Sequence, residues 1–364
     1  MVSIHCFGAG LVGSYVIKKL NSRGFNVHAY DPDPSRISNI KGIQIHSVHS
    51  GDDPVEYLTQ SIKENDNFDF NPEEDIVVNM LPGSIGHIST SKLAEKPWRA
   101  IDLSFSEATP DSVGEKARIN GASILWDTGI APGLSNMLLS ESYKVLGRLK
   151  NGIIRVGGNP IEQNSGWSYM APFSPYDVIS EYARPARIVR DSKVVSLPAL
   201  SERHTINVDG KGKMEAFLTD GLRSVLYSIP SEELSEYTVR WPGHIQKFID
   251  QRNDGSLDID SLIEQWKYDS QIPEFTWMEV LATGKNGTRI KWTVEDHGGV
   301  DGHSMARSTG LVTISCIEEW IKNPKMIGLG VFAPEDLPTH IVERIIESMR
   351  LEGVQIKGPE ILDS

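Results

Sequence analysis

The chain has 364 residues, with 36 Lys and Arg against 49 Asp and Glu, and the resulting formal net charge of −13 argues against a main role in binding nucleic acids or anionic membranes. Its length predicts two or three domains of roughly 100–200 residues, 39% apolar residues suffice for a soluble globular core, and no run approaches the roughly 20 apolar residues of a membrane span. Only two cysteines occur, Cys6 and Cys316, which excludes a disulfide framework and a cysteine-based zinc site.

In the first part of the chain, apolar strand patterns alternate with helical patterns. Strands are predicted at residues 3–7, 26–30, 43–47, 75–81, 99–103 and 123–126, and helices at 11–22, 55–64, 89–94 and 111–120. This alternation is typical of a parallel sheet with helices on both faces. We therefore predict an α/β fold whose N-terminal domain, residues 1–135, is a Rossmann domain with a doubly wound parallel sheet.

Beyond residue 150 the strands no longer alternate regularly with helices. They are predicted at 153–156, 186–189, 205–208, 237–241, 275–283 and 288–296, and Gly284-Lys285-Asn286-Gly287 predicts a hairpin between the last two. We expect a second α+β domain, residues 136–310, with a mixed or antiparallel sheet, for substrate binding and dimerisation. Helices are predicted at 304–323 and 335–350, and the sequence leaves open whether the C-terminal helices of segment 311–364 pack back on the Rossmann domain.

A glycine-rich turn lies between the first strand and the first helix. In Gly8-Ala9-Gly10-Leu11-Val12-Gly13, Gly8 permits a tight turn, Gly10 lets a pyrophosphate approach the backbone, and Gly13 lets helix and strand pack closely. The N–H groups at the helix start, including those of Leu11 and Val12, then face the phosphates. The alternative is an ordinary strand–turn–helix.

Asp31 follows Gly13 by 18 residues, at the end of the second strand. A carboxylate in this position accepts hydrogen bonds from the ribose hydroxyls of adenosine and repels a 2′-phosphate, which favours NAD over NADP. Arg36 is the counter-argument, because it would pair with a 2′-phosphate if its loop turned inward.

Two further loops follow strands where the cofactor crevice of such a sheet lies. Leu81 and Pro82 follow the fourth strand and are predicted to pack on the cofactor, and Ser104 follows the fifth and is predicted to bond its ribose or amide. In each case, the alternative is ordinary loop chemistry.

The segment after the sixth strand, Asp-Thr-Gly-Ile-Ala-Pro-Gly-Leu-Ser-Asn at 127–136, resembles the DxGxAPGLSN segment of the saccharopine dehydrogenase-like superfamily, and within it the lysine 6-dehydrogenases. The likeness continues in order at 173–187, 220–224, 240–244, 304–310 and 330–335, so it covers nearly the whole chain. The Arg-Trp-Pro-Gly-His form of 240–244 and the compact length favour the lysine dehydrogenase branch over the longer saccharopine reductases.

The resemblance implies NAD-dependent oxidative deamination of the ε-amino group of L-lysine, giving 2-aminoadipate 6-semialdehyde, ammonia and NADH, in a homodimer. No metal is required, because the cofactor carries the electrons. The N-terminus lacks the pattern of a secretory signal, so we expect a cytoplasmic protein. Two alternatives remain: an NADP-dependent saccharopine reductase that joins the semialdehyde to glutamate, and a dinucleotide-binding regulator without turnover.

The resemblance also implies site residues. Asp127 is expected to hold the substrate amine or orient the nicotinamide amide, unless it caps the following helix, and Gly129 is expected to allow close approach of the cofactor. Arg240 is the first candidate for the substrate carboxylate, and His244 the first for proton transfer, because its ordinary pKa lies near working pH.

Three further arginines are candidates for substrate binding: Arg184, Arg223 and Arg307. The alternative for Arg184 is a solvated helix face on which it forms ion pairs with Glu181, while Asp177 lies one turn earlier on the same face.

Overall fold

The computed structural model describes residues 2–65 and 68–362, and the chain divides into two compact units. The first unit contains the described residues up to Gly129 together with Thr309–Ser348. The second contains Ile130–Ser308 and the described residues from Met349 onward. Within the described ranges, no helix is both long and apolar enough to cross a membrane.

The strands, in chain order, are β1 Ser3–Phe7, β2 Asn26–Asp31, β3 Ile43–Ser47, β4 Ile76–Asn79, β5 Arg99–Asp102, β6 Ser123–Trp126, β7 Leu149–Pro160, β8 Ala186–Arg190, β9 Lys193–Leu197, β10 His204–Val208, β11 Gly212–Leu218, β12 Ser231–Arg240, β13 Glu274–Gly284, β14 Arg289–Asp296, β15 Gly330–Phe332 and β16 Gln355–Leu362. The helices are α1 Leu11–Ser22, α2 Pro54–Glu64, α3 Gly83–Leu93, α4 Gly114–Asn120, α5 Leu134–Leu146, α6 Pro175–Ala183, α7 Val225–Ser228, α8 His244–Asn253, α9 Ile259–Gln265, α10 Ser304–Lys322 and α11 Thr339–Leu351.

The first unit is built on a parallel sheet in the order β15-β6-β5-β4-β1-β2-β3. The strand order reverses direction beside β1, so the predicted doubly wound sheet is confirmed. Strand β15 was not predicted, because three residues flanked by turns are too short to give a periodic pattern; it pairs with β6 through Gly330 and Ser123.

Two helices of this unit differ from the prediction. Helix α3 begins six residues earlier than the predicted residue 89, since Pro82 lies at its N-cap position, where it cannot interrupt the helix. The segment predicted as one helix over 111–120 is a 3₁₀ turn at Pro110–Val113 followed by α4. Gly121 ends α4 in the left-handed conformation, with a φ of 77°.

The second unit contains a mixed sheet in the order β10-β11-β12-β7-β13-β14-β16, to which β8 and β9 attach beside β12. Strands β12 and β7 are parallel, and the other neighbours are antiparallel. The predicted hairpin is confirmed, because β13 and β14 pair from Thr276–Asp296 to Thr283–Arg289.

Strands β9, β11 and β16 were not predicted. In segment 311–364 only helices were predicted, the last over 335–350, and the chain beyond them forms β16, which pairs antiparallel with β14. The side chains of β16 are mostly exposed, so its sequence lacks the apolar alternation by which a half-buried strand is detected. Backbone pairing with β14 determines its conformation.

Candidate dinucleotide and substrate sites

The glycine-rich turn requires two of its glycines for packing and leaves the third open. Gly8 has a φ of 94°, and a Cβ on Gly13 would lie 2.2 Å from the Gly8 carbonyl oxygen. No side chain therefore fits at Gly13 unless α1 moves away from the turn. A Cβ on Gly10 would meet no heavy atom within 4 Å, so this position is free for the approach of a phosphate.

Asp31 is tied to this turn by hydrogen bonds. Its Oδ2 accepts from the Ala9 N–H at 2.6 Å and its Oδ1 from the Asp33 N–H at 2.7 Å. Each carboxylate oxygen has a second lone pair with which it can accept a ribose hydroxyl. Arg36 is exposed, in a 3₁₀ turn after β2. The glycine-rich turn and the Asp31 carboxylate fit the binding of a dinucleotide.

A buried polar network, which the sequence analysis missed, supports the loops after β4 and β5. The Asn79 side chain donates to the Gly86 carbonyl at 3.0 Å, the Thr90 hydroxyl donates to Asp102, and Asp102 Oδ1 accepts from the Ser104 N–H at 2.7 Å. Burial raises the pKa of Asp102, against the hydrogen bonds that lower it. The available signal was a polar residue at the end of each of two strands, Asn79 in β4 and Asp102 in β5.

The hydrogen bond from the Ser104 N–H to Asp102 and the packing of the Ser104 side chain determine the orientation of this residue. Ser104 is buried, and a Cβ on Gly86 of α3 would come within 2.3 Å of the Ser104 Cβ, so the serine packs against that helix. Leu81 packs against the core cluster of the unit, and Pro82 is exposed at the start of α3.

Asp127 directly follows β6 and is buried, with a φ of 53° that non-glycine residues rarely adopt. It does not cap the next helix, since α5 begins at Leu134. The following residue is held within the same unit, because the Thr128 carbonyl accepts from the Thr313 hydroxyl at 2.9 Å. Gly129 is the last residue of the unit before the chain continues into the second.

The fold of the first unit thus gathers most of the predicted cofactor residues. They follow strands that are neighbours in a parallel sheet, whose carboxyl ends share one edge. This set is Asp31 after β2, the glycine-rich turn after β1, Leu81 and Pro82 after β4, Ser104 after β5 and Asp127 after β6.

In the second unit, Arg240 and His244 are joined through Tyr182. The Arg240 Nε donates to the Tyr182 oxygen at 3.0 Å, and that oxygen lies 3.1 Å from His244 Nε2. The Trp167 carbonyl can only accept, so His244 Nδ1, 3.0 Å away, carries the ring hydrogen and donates to it. Nε2 of the neutral ring is then an acceptor, and the Tyr182 hydroxyl donates to it. Hydrogen bonds of fixed direction therefore run from Arg240 to Trp167.

The surroundings of His244 do not support its predicted direct role in proton transfer. The residue is 3% exposed and both ring nitrogens are engaged. Burial first, and Arg240 second, lower the pKa of His244 to about 3, so the ring is neutral at working pH. In this arrangement His244 acts by holding Tyr182, and through Tyr182 it orients Arg240.

Asp220, also in the second unit, pairs with two of the arginines of the 173–187 motif. Arg187 binds it through Nε at 2.9 Å and Nη2 at 2.8 Å, and Arg184 Nε lies 3.1 Å from Asp220 Oδ2. A bidentate arginine–carboxylate pair of this kind holds both partners in a defined geometry. Arg184 therefore faces an internal carboxylate.

Glu236 is a second buried carboxyl of this cluster. Its Oε2 accepts from the Thr219 hydroxyl at 2.6 Å and from the Gly221 N–H at 3.2 Å. Burial, with Glu181 as a like-charged neighbour, raises the pKa of Glu236 to about 8. The sequence contains no clear signal for Glu236, because β12 contains three glutamates and only this one is buried.

Glu181 is half-buried beside Tyr182 and does not lie on the predicted solvated helix face. Burial raises its pKa, while the positive charges of Arg240 and Arg184 act in the opposite direction. Its environment is that of an interior charged group.

The remaining two arginines are also buried. Arg307 donates from Nε to Asp296 at 3.0 Å, from Nη2 to the Glu352 carbonyl at 2.7 Å and from Nη1 to Asp301. All three nitrogens of Arg307 are engaged, so a substrate carboxylate would have to displace protein acceptors. Arg223 has a φ of 56°.

Comparison with known proteins assigns the chain to a family. Residues 129–354 match the model of the saccharopine dehydrogenase C-terminal domain family. The chain belongs to this family. The motifs at 127–136 and beyond that suggested the saccharopine dehydrogenase-like superfamily are thereby confirmed at the level of the superfamily.

Two solved structures share the fold of this saccharopine dehydrogenase-like protein. A saccharopine dehydrogenase (L-Glu forming) from Saccharomyces cerevisiae is 15% identical, with a TM-score of 0.76 and 100% of each chain covered. The homospermidine synthase of Legionella pneumophila, in complex with NAD, is 14% identical, with a TM-score of 0.66 over 98% of this chain and 91% of that one. At these identities the likeness concerns the fold.

A curated relative is similar over a shorter segment. The α-aminoadipic semialdehyde synthase of Arabidopsis thaliana is 23% identical over 143 residues, which are 38% of this chain. The matched part spans 12% of the length of that relative.

Proposed function

We propose that this saccharopine dehydrogenase-like protein is an NAD-dependent oxidoreductase that removes the ε-amino group of L-lysine, giving 2-aminoadipate 6-semialdehyde, ammonia and NADH. The observation that carries the proposal is the Asp31 carboxylate, anchored to the Ala9 N–H beside the open Gly10 position, in a chain of this family. A cytoplasmic homodimer is part of the proposal.

The choice of NAD is supported by the charge at Asp31. In the proposal, Gly8, Gly10, Gly13 and the N–H groups of Leu11 and Val12 receive the pyrophosphate, and Asp31 accepts the ribose hydroxyls. A 2′-phosphate would meet this carboxylate directly, while the nearby Arg36 is exposed. When bound, NAD supplies the hydride acceptor.

The choice of lysine over saccharopine is supported by the pairing of two candidate arginines, Arg184 and Arg307, with acceptors of the protein itself. Arg184 faces Asp220, and Arg307 is engaged through all three nitrogens by Asp296, Asp301 and the Glu352 carbonyl. Saccharopine carries more carboxylates than lysine and would need more arginines that are not already paired. We assign the α-carboxylate to Arg240, where it would displace the Tyr169 hydroxyl, the most distant of the three acceptors of that guanidinium at 3.4 Å. Arg223 is the second candidate, and the reacting amine is assigned to Asp127.

The proposal is tested by mixing the purified protein with NAD and L-lysine and following NADH by absorbance or fluorescence. NADH should accumulate without glutamate, and NADP should support a much lower rate. A reaction that requires glutamate, the semialdehyde and NADPH would instead establish the saccharopine reductase alternative. If calorimetry detected no binding of NAD or NADP, the dinucleotide assignment would be wrong.

A further inference from the structure

His5, His28 and His46 form a stack of imidazole rings, the histidine stack, on one face of the parallel sheet. His5 on β1 and His28 on β2 are paired in register, and their ring centres are 4.5 Å apart. His46 on β3 stacks on His28 at 5.3 Å and on Tyr30 at 4.5 Å, with interplanar angles of 5° and 10°. His5 and His28 are buried, and His46 is half-buried. The histidine stack therefore joins β1, β2 and β3 through their side chains.

Hydrogen bonds define the protonation state of two of these rings. The side-chain amide nitrogens of Gln44 and Asn26 lie 3.2 and 3.4 Å from His28 Nε2, and an amide nitrogen can only donate. His28 Nε2 is therefore an acceptor, so His28 Nδ1 carries the ring hydrogen and donates to His46 Nε2 at 3.1 Å. A proton on either Nε2 would set two N–H groups against each other and break one of these hydrogen bonds.

The groups that surround the histidine stack compensate an added proton poorly. Asp75 Oδ2 lies 3.9 Å from His5 Nε2, but the Asp75 carboxylate already accepts from two backbone N–H groups. Asp69 is exposed, and Tyr57 of α2 presents a neutral ring 6.2 Å from that of His46. Phenylalanine rings from residues 68–70 also pack on the stack. A charge on the stack would thus lie mainly among aromatic rings.

Burial lowers the pKa of all three histidines, so the histidine stack is neutral at working pH. The pKa of His28 falls to about 4, with His46 as a further cause and Asp69 acting in the opposite direction. Protonation in acid therefore opposes the packing of the three rings.

The histidine stack is connected to Asp31 through Tyr30. The Tyr30 ring packs on His46, and its hydroxyl lies 2.9 Å from His5 Nδ1. Asp31 follows Tyr30 on β2, and its carbonyl accepts from the Val48 N–H, directly after β3, at 3.4 Å. Strand β3 is the last in the order of the sheet and pairs with β2. Displacement of the stack would therefore shift β3 and the end of β2 that carries Asp31.

We propose that the neutral histidine stack positions Asp31 for the adenosine ribose, and that protonation of the stack in acid weakens dinucleotide binding. The inference rests on the proposed function, since it requires that Asp31 accepts the ribose hydroxyls. His28 and His46 are positioning residues, because they act on the ligand through β2 and β3. If only the neutral form binds, the apparent affinity falls with the neutral fraction, by up to about tenfold per pH unit for each proton.

The test is calorimetry with NAD from about pH 7.5 down to about pH 4.5, on the wild type and on His46→Gln. Glutamine keeps an acceptor for His28 Nδ1 and takes up no proton. The two proteins should bind NAD with similar affinity at the upper pH. In acid the affinity of the wild type should fall more steeply, by up to about tenfold per pH unit more than that of the variant.

His340→Gln is the matched control, because it removes an exposed imidazole of α11 in the same unit and should follow the wild type. Identical pH profiles of the wild type and His46→Gln, or a profile that His340→Gln flattens equally, would overturn the proposal.

A second measurement uses the wild type itself. In acid, NAD binding should release protons from the histidine stack, so the observed heat should depend on the ionisation enthalpy of the buffer. If His46→Gln did not fold, a wild type that released no proton on binding would still overturn the role of the stack. A wild type that bound neither NAD nor NADP at any pH would instead refute the dinucleotide proposal, and the role of the stack with it.

Discussion

Glu236 is protonated at neutral pH because its carboxyl is buried beside the like-charged Glu181, which raises its pKa to about 8. In the unfolded chain the same carboxyl titrates near its ordinary pKa of about 4.3. Between these two pH values the folded state holds a proton that the unfolded state has released. Stability must therefore fall as the pH rises through this window.

Glu236→Gln should remove this dependence. The amide keeps the shape of the protonated carboxyl and cannot ionise, so the variant should gain stability relative to the wild type between about pH 5 and 8, by at most ~1.4 kcal/mol per pH unit. Denaturant unfolding at several pH values measures the difference. Glu232→Gln, on the same strand, is the control and should show no such trend. A wild-type advantage that stays constant with pH would contradict the assignment of a proton to Glu236.

At the scale of elements, two glycines of the glycine-rich turn have different requirements: Gly13 is needed for packing, and Gly10 leaves space for a ligand. A Cβ on Gly13 would meet the Gly8 carbonyl oxygen at 2.2 Å, whereas one on Gly10 would meet nothing within 4 Å. Gly10 also has a φ of −63°, which alanine adopts readily. The same substitution should therefore lower the stability of the fold at Gly13 and the affinity for NAD at Gly10.

Gly13→Ala should lower the free energy of unfolding by about 1–3 kcal/mol, because α1 must move away from the turn. Gly10→Ala should change it by less than about 0.5 kcal/mol, yet weaken NAD binding roughly tenfold or more, since about 1.4 kcal/mol of steric cost suffices for that factor. Denaturant unfolding and calorimetry with NAD measure the two effects. Tight NAD binding by Gly10→Ala would mean that the pyrophosphate does not approach this position.

Among the elements, those with a strong apolar pattern were predicted and those that depend on a partner were not. Strand β6 has four buried residues and was predicted to the residue. Strands β15 and β16 are short or exposed, and they exist because β6 and β14 offer free edges for pairing. Local sequence carries no information about an edge that another segment provides.

At the scale of the whole molecule, each compact unit is built from separate parts of the chain. The first unit takes up Thr309–Ser348 besides the N-terminal residues. This segment supplies β15, and α10 packs on α1, where a Cβ on Gly310 would lie 2.6 Å from Tyr15 and Arg23 pairs with Glu318 at 2.6 Å. The N-terminal unit is thus incomplete without a segment that lies, in sequence, between the two parts of the second unit.

A fragment of residues 1–129 should therefore fail to unfold cooperatively, because it exposes the edge of β6 and the face of α1 that α10 covers. Co-expression with residues 309–348 should restore a cooperative thermal transition, followed by circular dichroism. Co-expression with the same residues in scrambled order is the control. A cooperative transition of 1–129 alone would show that segment 309–348 is dispensable for the folding of this unit.

The sequence alone determined the parallel sheet, the glycine-rich turn between β1 and α1, and the superfamily, because these rest on local patterns and contiguous motifs. Tertiary structure decided which charged residues meet. Tyr182 and His244 are 62 residues apart, and Asp220 joins Arg187 across 33. The neutral state of His244, the protonated Glu236 and the pairing of the arginines follow from burial and from neighbours that only the folded chain brings within hydrogen-bonding distance.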